Sequence, residues 1–292
     1  MPCLKILFTL HSLLFTCMSF PYHVVDLTHT LDENIPSWTG KCGFHQEIKL
    51  DYDEQSSCRP LSKLAADDAV PGASSAQRLS VQKVLEDAHD ATTQCASAVE
   101  LRKRPVSFRV QQLKMHAGIG THLDAPAHCS LGKATINELD LNNLVAPCVV
   151  IDVSARADEH YSVSQTDITA FEAIHGIIEP NSFVIIRTGW DRFWKEPKKY
   201  HNNFLFPSIS KEAATLLLQR NIVGLGIDTL SPDRPESGYP VHGVILDAEK
   251  YIIENVAHSD RLPQKGSWII ALPIKTRNGT EAPLRLIALL PK

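Results

Sequence analysis

The chain has 292 residues, enough for one large domain or two small ones. With 43% hydrophobic and 21% charged residues it can bury a sizeable core, like an ordinary globular protein. A formal net charge of -4, with no basic stripe, gives no case for nucleic acid or an anionic membrane as partner.

Residues 1–20, "MPCLKILFTLHSLLFTCMSF", set Lys5 before an apolar run from Ile6 to about Phe20. That is the form of a secretory signal peptide, too short and poorly flanked for a spanning helix. It predicts a secreted or extracytoplasmic protein with one domain over 21–292 and no stable membrane insertion after signal removal. If the segment is not a signal, the cytoplasm is the expected compartment. Cys42, Cys58, Cys95, Cys129 and Cys148 follow it, an odd set without C-x-x-C spacing, so no zinc ribbon or thioredoxin-type site is implied.

Next, "YHVVDLTHTL" reads as a strand. Residues from about 54 to 105 break the pattern, with few large apolar side chains. They read as an insertion, and a helix over about 76–103 would carry only a thin apolar stripe. After residue 145 come five short β-rich runs: 148–154, 183–189, 222–229, 268–275 and 284–291. Several are apolar on both faces, as in central strands. Helical spacing marks 164–175 and 210–221, where Ser210 is a plausible N-cap, and "DAEKYIIEN" (247–255) reads as a helix starting on Asp247. Strands alternating with helices predict an α/β fold: a compact single domain with a mixed β-sheet core and flanking helices.

The chemistry concentrates in "MHAGIGTHLDAPAHC" (115–129). His122 and Asp124 are two apart, so in extended backbone they face the same side and can converge on one ion. Nitrogen and oxygen ligands together suit Zn²⁺ or Mn²⁺. Pro126 takes the chain out of the sheet, and His128 then lies beside the ion, where a general acid/base is useful. A second cluster supplies His242, after a buried strand, and Glu254, on the expected 247–255 helix. No G-x-S-x-G elbow is present, and Cys129 points away from His128 in extended chain, so nucleophilic catalysis has little support.

"GTHLDAPAH" (120–128), "RTGW" (187–190), "GLGIDTLS" (224–231), "ENVAH" (254–258) and "IALPIK" (270–275) together resemble the cyclase family of metal-dependent hydrolases, which includes bacterial-type kynurenine formamidases and isatin hydrolases. The likeness covers about 22–53 and 106–292. It implies a swivelling β/α-like fold assembled as a homodimer or homotetramer. It also implies metal ligands at His122, Asp124, His242 and Glu254, and an acid/base at His128. Two-metal formamidases carry a further histidine four residues before the H-x-D histidine. Here that position is Gly118, and His116 lies two residues earlier. One firmly held divalent ion is therefore expected, with a second weakly held or absent.

The expected reaction is hydrolysis of an amide C–N bond in a small aromatic substrate, N-formylkynurenine-type or an isatin-type cyclic amide. Trp38 and Trp190 are candidates to flank its ring. The alternatives are a secreted binding protein that keeps the fold without turnover, and a non-hydrolytic cyclase or dehydratase.

Overall fold

Strands whose side chains are apolar on both faces need a covered sheet, and this chain covers it with helices outside and a closed interior. A computed structural model describes residues 21–51 and 108–292. The signal-like segment 1–20 and the whole insertion 54–105, with its expected helix, lie outside the described residues. Of the described residues, 21–45 and 114–292 belong to one compact unit, and 46–51 with 108–113 to a second. Strand β2 (Phe44–Leu50), most of it in the second unit, pairs with β3 (Val110–Met115), and Arg109 donates to Asp51 beyond the strand ends.

The first unit is built on a mixed sheet. Four strands run parallel in the order β5 (Val145–Asp152), β7 (Phe183–Arg187), β9 (Gly224–Ile227) and β10 (Tyr251–Glu254). Antiparallel β11 (Ser267–Pro273) joins β5, and β12 (Glu281–Pro291) joins β11. Strand β4 (His122–Asp124) pairs with β10 on one side and with the start of β12 on the other. The sheet thereby closes on itself like a barrel, and β4 is the closing strand. The far half of β12 pairs with β1 (Tyr22–Asp26). All six sequence-predicted strands are present.

Alternate residues along each strand serve different cores. Val149, Ile151, Val184, Ile186 and Ile227 pack outward against the helices α1 (Gln165–His175), α3 (Lys211–Gln219) and α4 (Pro240–Asp247). Cys148, Val150, Phe183, Ile185 and Ile253 turn inward to meet Leu123, Ile269 and Leu286. The period of two assigns each side chain to one core or the other. Helix α1 begins with a capping box in which Ser164 and Asp167 satisfy each other's backbone, and Ser210 caps α3 by accepting from the Ala213 amide. A short helix α2 (Pro197–His201) lies between β7 and the two-residue strand β8 (Ser208–Ile209), which pairs with β6 (Ser162–Val163).

The expected 247–255 helix is corrected. The helix is α4, which starts on Pro240 and ends at Asp247, and Tyr251–Glu254 is strand β10. Pro240 at the first helical position has the fixed φ a helix start needs. The β-branched pair Ile252 and Ile253 fits a sheet position buried on both faces. Among the described residues, no helix is long and apolar enough to cross a membrane.

Candidate active site

The closing strand carries the chemistry. His122 and Asp124 sit on one face of β4, and the antiparallel register sets Glu254 of β10 directly opposite His122. Side chains directly opposite across a pair share a face. His242 reaches the same place from the first turn of α4. All four are buried, none more than 6% exposed.

The four form a ring. His122 Nε2 lies 3.4 Å from both Asp124 Oδ1 and Glu254 Oε2. His242 Nε2 lies 3.7 Å from Asp124 Oδ2 and 3.4 Å from Glu254 Oε1. Each carboxylate thus turns one oxygen to each imidazole. Candidate ligand triads follow, one of Asp124, His242 and Glu254 and one of His122, Asp124 and Glu281, both sharing Asp124.

Both imidazoles are locked with Nε2 facing the carboxylates. His122 donates from Nδ1 to the Gly120 carbonyl at 2.8 Å, which accepts only. That carbonyl is held in place by the Asn255 side-chain amide at 2.9 Å, and Gly120 adopts φ +62, which glycine reaches without strain. His242 donates from Nδ1 to Asp233 Oδ2 at 2.8 Å. Asp233 also accepts from the Val241 and His242 amides, so one carboxylate caps the start of α4 and orients its histidine.

The ring fits a divalent cation better than it fits protons. Both Asp124 oxygens are buried without a hydrogen-bond partner. Gaps of 3.4–3.7 Å are too long for good hydrogen bonds. They match the roughly 3.4 Å edge of a tetrahedron with metal–ligand bonds of about 2.0–2.2 Å. Charge agrees. Burial opposes a proton on His122, yet Asp124 and Glu254 outweigh it and lift the imidazole to about 10. His242 is lifted in the same way, against its burial, by Asp124, Asp233 and Glu254. Asp124, despite burial, is held well below the usual carboxylate range by His122 and His242, whereas burial and the Asp124 charge push Glu254 up. A site this anionic favours positive charge at its centre.

The ring opens into a cavity of about 490 Å³ lined also by Trp38, Gly118, His128 and Tyr239. Pro126–His128 forms a single 3₁₀ turn straight after β4, which brings His128 back to the site. Its ring centre is 6.0 Å from that of His242, and its Nδ1 is 3.7 Å from Glu281 Oε2. His116 also lines the cavity. Trp38 stands on the wall with its ring 6.2 Å from Tyr239. Trp190 does not: it is 4% exposed in a core cluster with Tyr200 and Phe206, and its Nε1 donates to the Tyr200 carbonyl. Cys129 lines the cavity as a free thiol whose pKa burial raises, and Cys42 and Cys148 are also free.

Sequence reasoning missed Asp233, Asn255, Tyr239 and Glu281. The first three lie between residues 226 and 258, around His242 and Glu254, and Asp233 stands seven residues before the helix start it caps. Glu281 carries no local signal, because only closure of the barrel sets β12 beside β4.

The family model described as putative cyclase matches residues 25–234, and the chain belongs to that family. The isatin hydrolase of Roseibium aggregatum is 34% identical over 188 residues, 59% of this chain and 72% of that protein. The kynurenine formamidase of Polaromonas naphthalenivorans is 28% identical over 181 residues, 61% of this chain and 73% of that protein. Isatin hydrolase A from Labrenzia aggregata, solved with benzyl benzoate bound, superposes with a TM-score of 0.69 at 26% identity, covering 93% of this chain and 95% of that one.

Proposed function

We propose that the chain is a cation-dependent amidohydrolase opening the C–N bond of a small aromatic amide, with an isatin-type cyclic amide preferred to N-formylkynurenine. One observation carries the reading: a buried, unpartnered Asp124 between two imidazoles whose Nε2 atoms are fixed towards it. His122, Asp124, His242 and Glu254 would hold the ion. A bound Zn²⁺ or Mn²⁺ supplies Lewis acidity, polarising a carbonyl and bringing the pKa of water towards neutrality.

The remaining work falls to side chains. His128 stands at the cavity wall with Nδ1 turned to Glu281, which leaves Nε2 to take a proton from the attacking water. The water oxygen bonds to the carbonyl carbon, the C–N bond breaks, and His128 returns the proton to the departing nitrogen. A carboxylate and an amine result. Trp38 and Tyr239 offer flat apolar walls that suit an aromatic ring. The isatin-type preference rests on Gly118, which supplies no ligand where two-metal formamidases have histidine, and on the 34% identity to an isatin hydrolase.

The test is turnover of isatin and N-formylkynurenine by chelator-treated full-length protein, with and without added Zn²⁺ or Mn²⁺. Cation-dependent ring opening of isatin, faster than deformylation, is expected. No hydrolysis of either compound with either ion would overturn the proposal.

A further inference from the structure

Gly118 raises a question that its own backbone does not answer. Its φ is not in the left-handed region, so the main chain there accepts any side chain. What stands where one would begin is the end of the Glu281 side chain: a β-carbon on residue 118 would meet Glu281 Oε1, which would have to swing aside. The carboxylate thus fills the space into which a side chain at 118 would project, on the His122 side of the ring, since the same β-carbon would also lie 3.3 Å from His122 Nε2.

The register puts it there. Glu281 is directly opposite Asp124 across the β4/β12 pair, just as Glu254 is opposite His122 across β4/β10. Strand β4 is therefore flanked on both sides by a glutamate on the face that carries His122 and Asp124. One oxygen of Glu281 falls within 4.8 Å of both His122 and Asp124 ligand atoms, and the neighbouring Asp124 carboxylate is fully buried without a partner. Glu281 Oε2 also lies 3.7 Å from His128 Nδ1, so the carboxylate stands between the ring and His128.

We propose that the Glu281 carboxylate is a ligand of the cation held by His122 and Asp124, in the space that a side chain at residue 118 would otherwise occupy. This rests on the reading of the ring as a cation centre. It makes the centre richer in oxygen donors, a set that suits Mn²⁺ better than a histidine in the same position would.

Co²⁺ alone is the probe, added to chelator-treated full-length protein and followed by visible absorption and by titration. Glu281→Gln keeps the shape and removes the charge. It is expected to weaken Co²⁺ binding at least about tenfold, the scale on which even outer partners of ligands act, and to change the absorption bands. Gly118→His combined with Glu281→Ala is expected to bind more tightly than Glu281→Ala alone, because the shortened side chain frees the space. Binding no tighter than Glu281→Ala contradicts the shared position. Unchanged affinity and bands in Glu281→Gln, with His122→Ala no longer binding, overturn the ligand role and leave Glu281 a positioning residue for His128. If His122→Ala also binds normally, the cation centre itself falls.

Discussion

Asp233 and His242 are joined twice: the carboxylate accepts from the backbone amide of His242 at 2.9 Å and from its imidazole Nδ1 at 2.8 Å. A single side chain therefore sets both the start of helix α4 and the direction of a candidate ligand. Both contacts fall on Oδ2, so asparagine keeps only one acceptor oxygen, sets an amide donor in place of the other, and loses the charge that favours the imidazole's orientation. Asp233→Asn is expected to lower Zn²⁺ or Mn²⁺ affinity by about 10–100-fold while the far-ultraviolet circular dichroism stays native. Asp233→Ala adds the loss of a helix cap, typically about 1 kcal/mol in urea denaturation. Affinity within twofold of wild type in both variants would show that the pair is ornamental.

Cation uptake is expected to release protons. His122 holds its proton up to about 10 in the cation-free fold, against 6.5 for an ordinary imidazole. A cation must displace it, so apparent affinity rises with pH across the neutral range, by up to about tenfold per pH unit for each proton displaced. The same raised value makes the cation-free fold gain stability from His122 fully below about 6.5 and lose it as pH climbs towards 10. Calorimetric Mn²⁺ titrations at pH 6, 7 and 8 in two buffers of different ionisation heat measure both affinity and proton release. A pH-independent Kd with no proton release contradicts this.

His128→Ala separates binding from proton transfer. The side chain is outside the buried ring and its ring centre is 6.0 Å from that of His242. Metal content is expected to match wild type, with kcat for amide hydrolysis down at least about a hundredfold. Near-normal kcat would remove its acid/base role, and lost metal would move it into the ligand set.

Much of this site is legible in the sequence for a simple reason. His122 and Asp124 are local, two apart on a strand, and Pro126 announces the turn that returns His128. The strands Val145–Asp152 and Phe183–Arg187 declare themselves by β-branched residues on both faces. Glu254 is named as a candidate ligand by likeness but misplaced on a helix, because "DAEK" looks like a helix start and a short apolar run has no period of its own. Only its neighbours β9 and β4 make Tyr251–Glu254 a strand. Glu281 is harder still. Nothing near it in sequence marks it, and its place depends on β4 pairing with two strands at once. The aromatics divide for the opposite reason: Trp38 and Trp190 are alike in sequence, and packing alone sends one to the cavity wall and the other to the core.

The most direct measurement is metal content as purified, and Mn²⁺ affinity at pH 7.5 after chelator treatment, of Asp124→Asn beside wild type. Asp124 faces both histidines and belongs to both candidate triads at the ring, so the near-isosteric change removes a charge common to them. Stoichiometric metal in wild type, with binding lost or weakened at least about a hundredfold in a natively folded variant, is the predicted result. Equal metal content and equal Kd in the two proteins would contradict it.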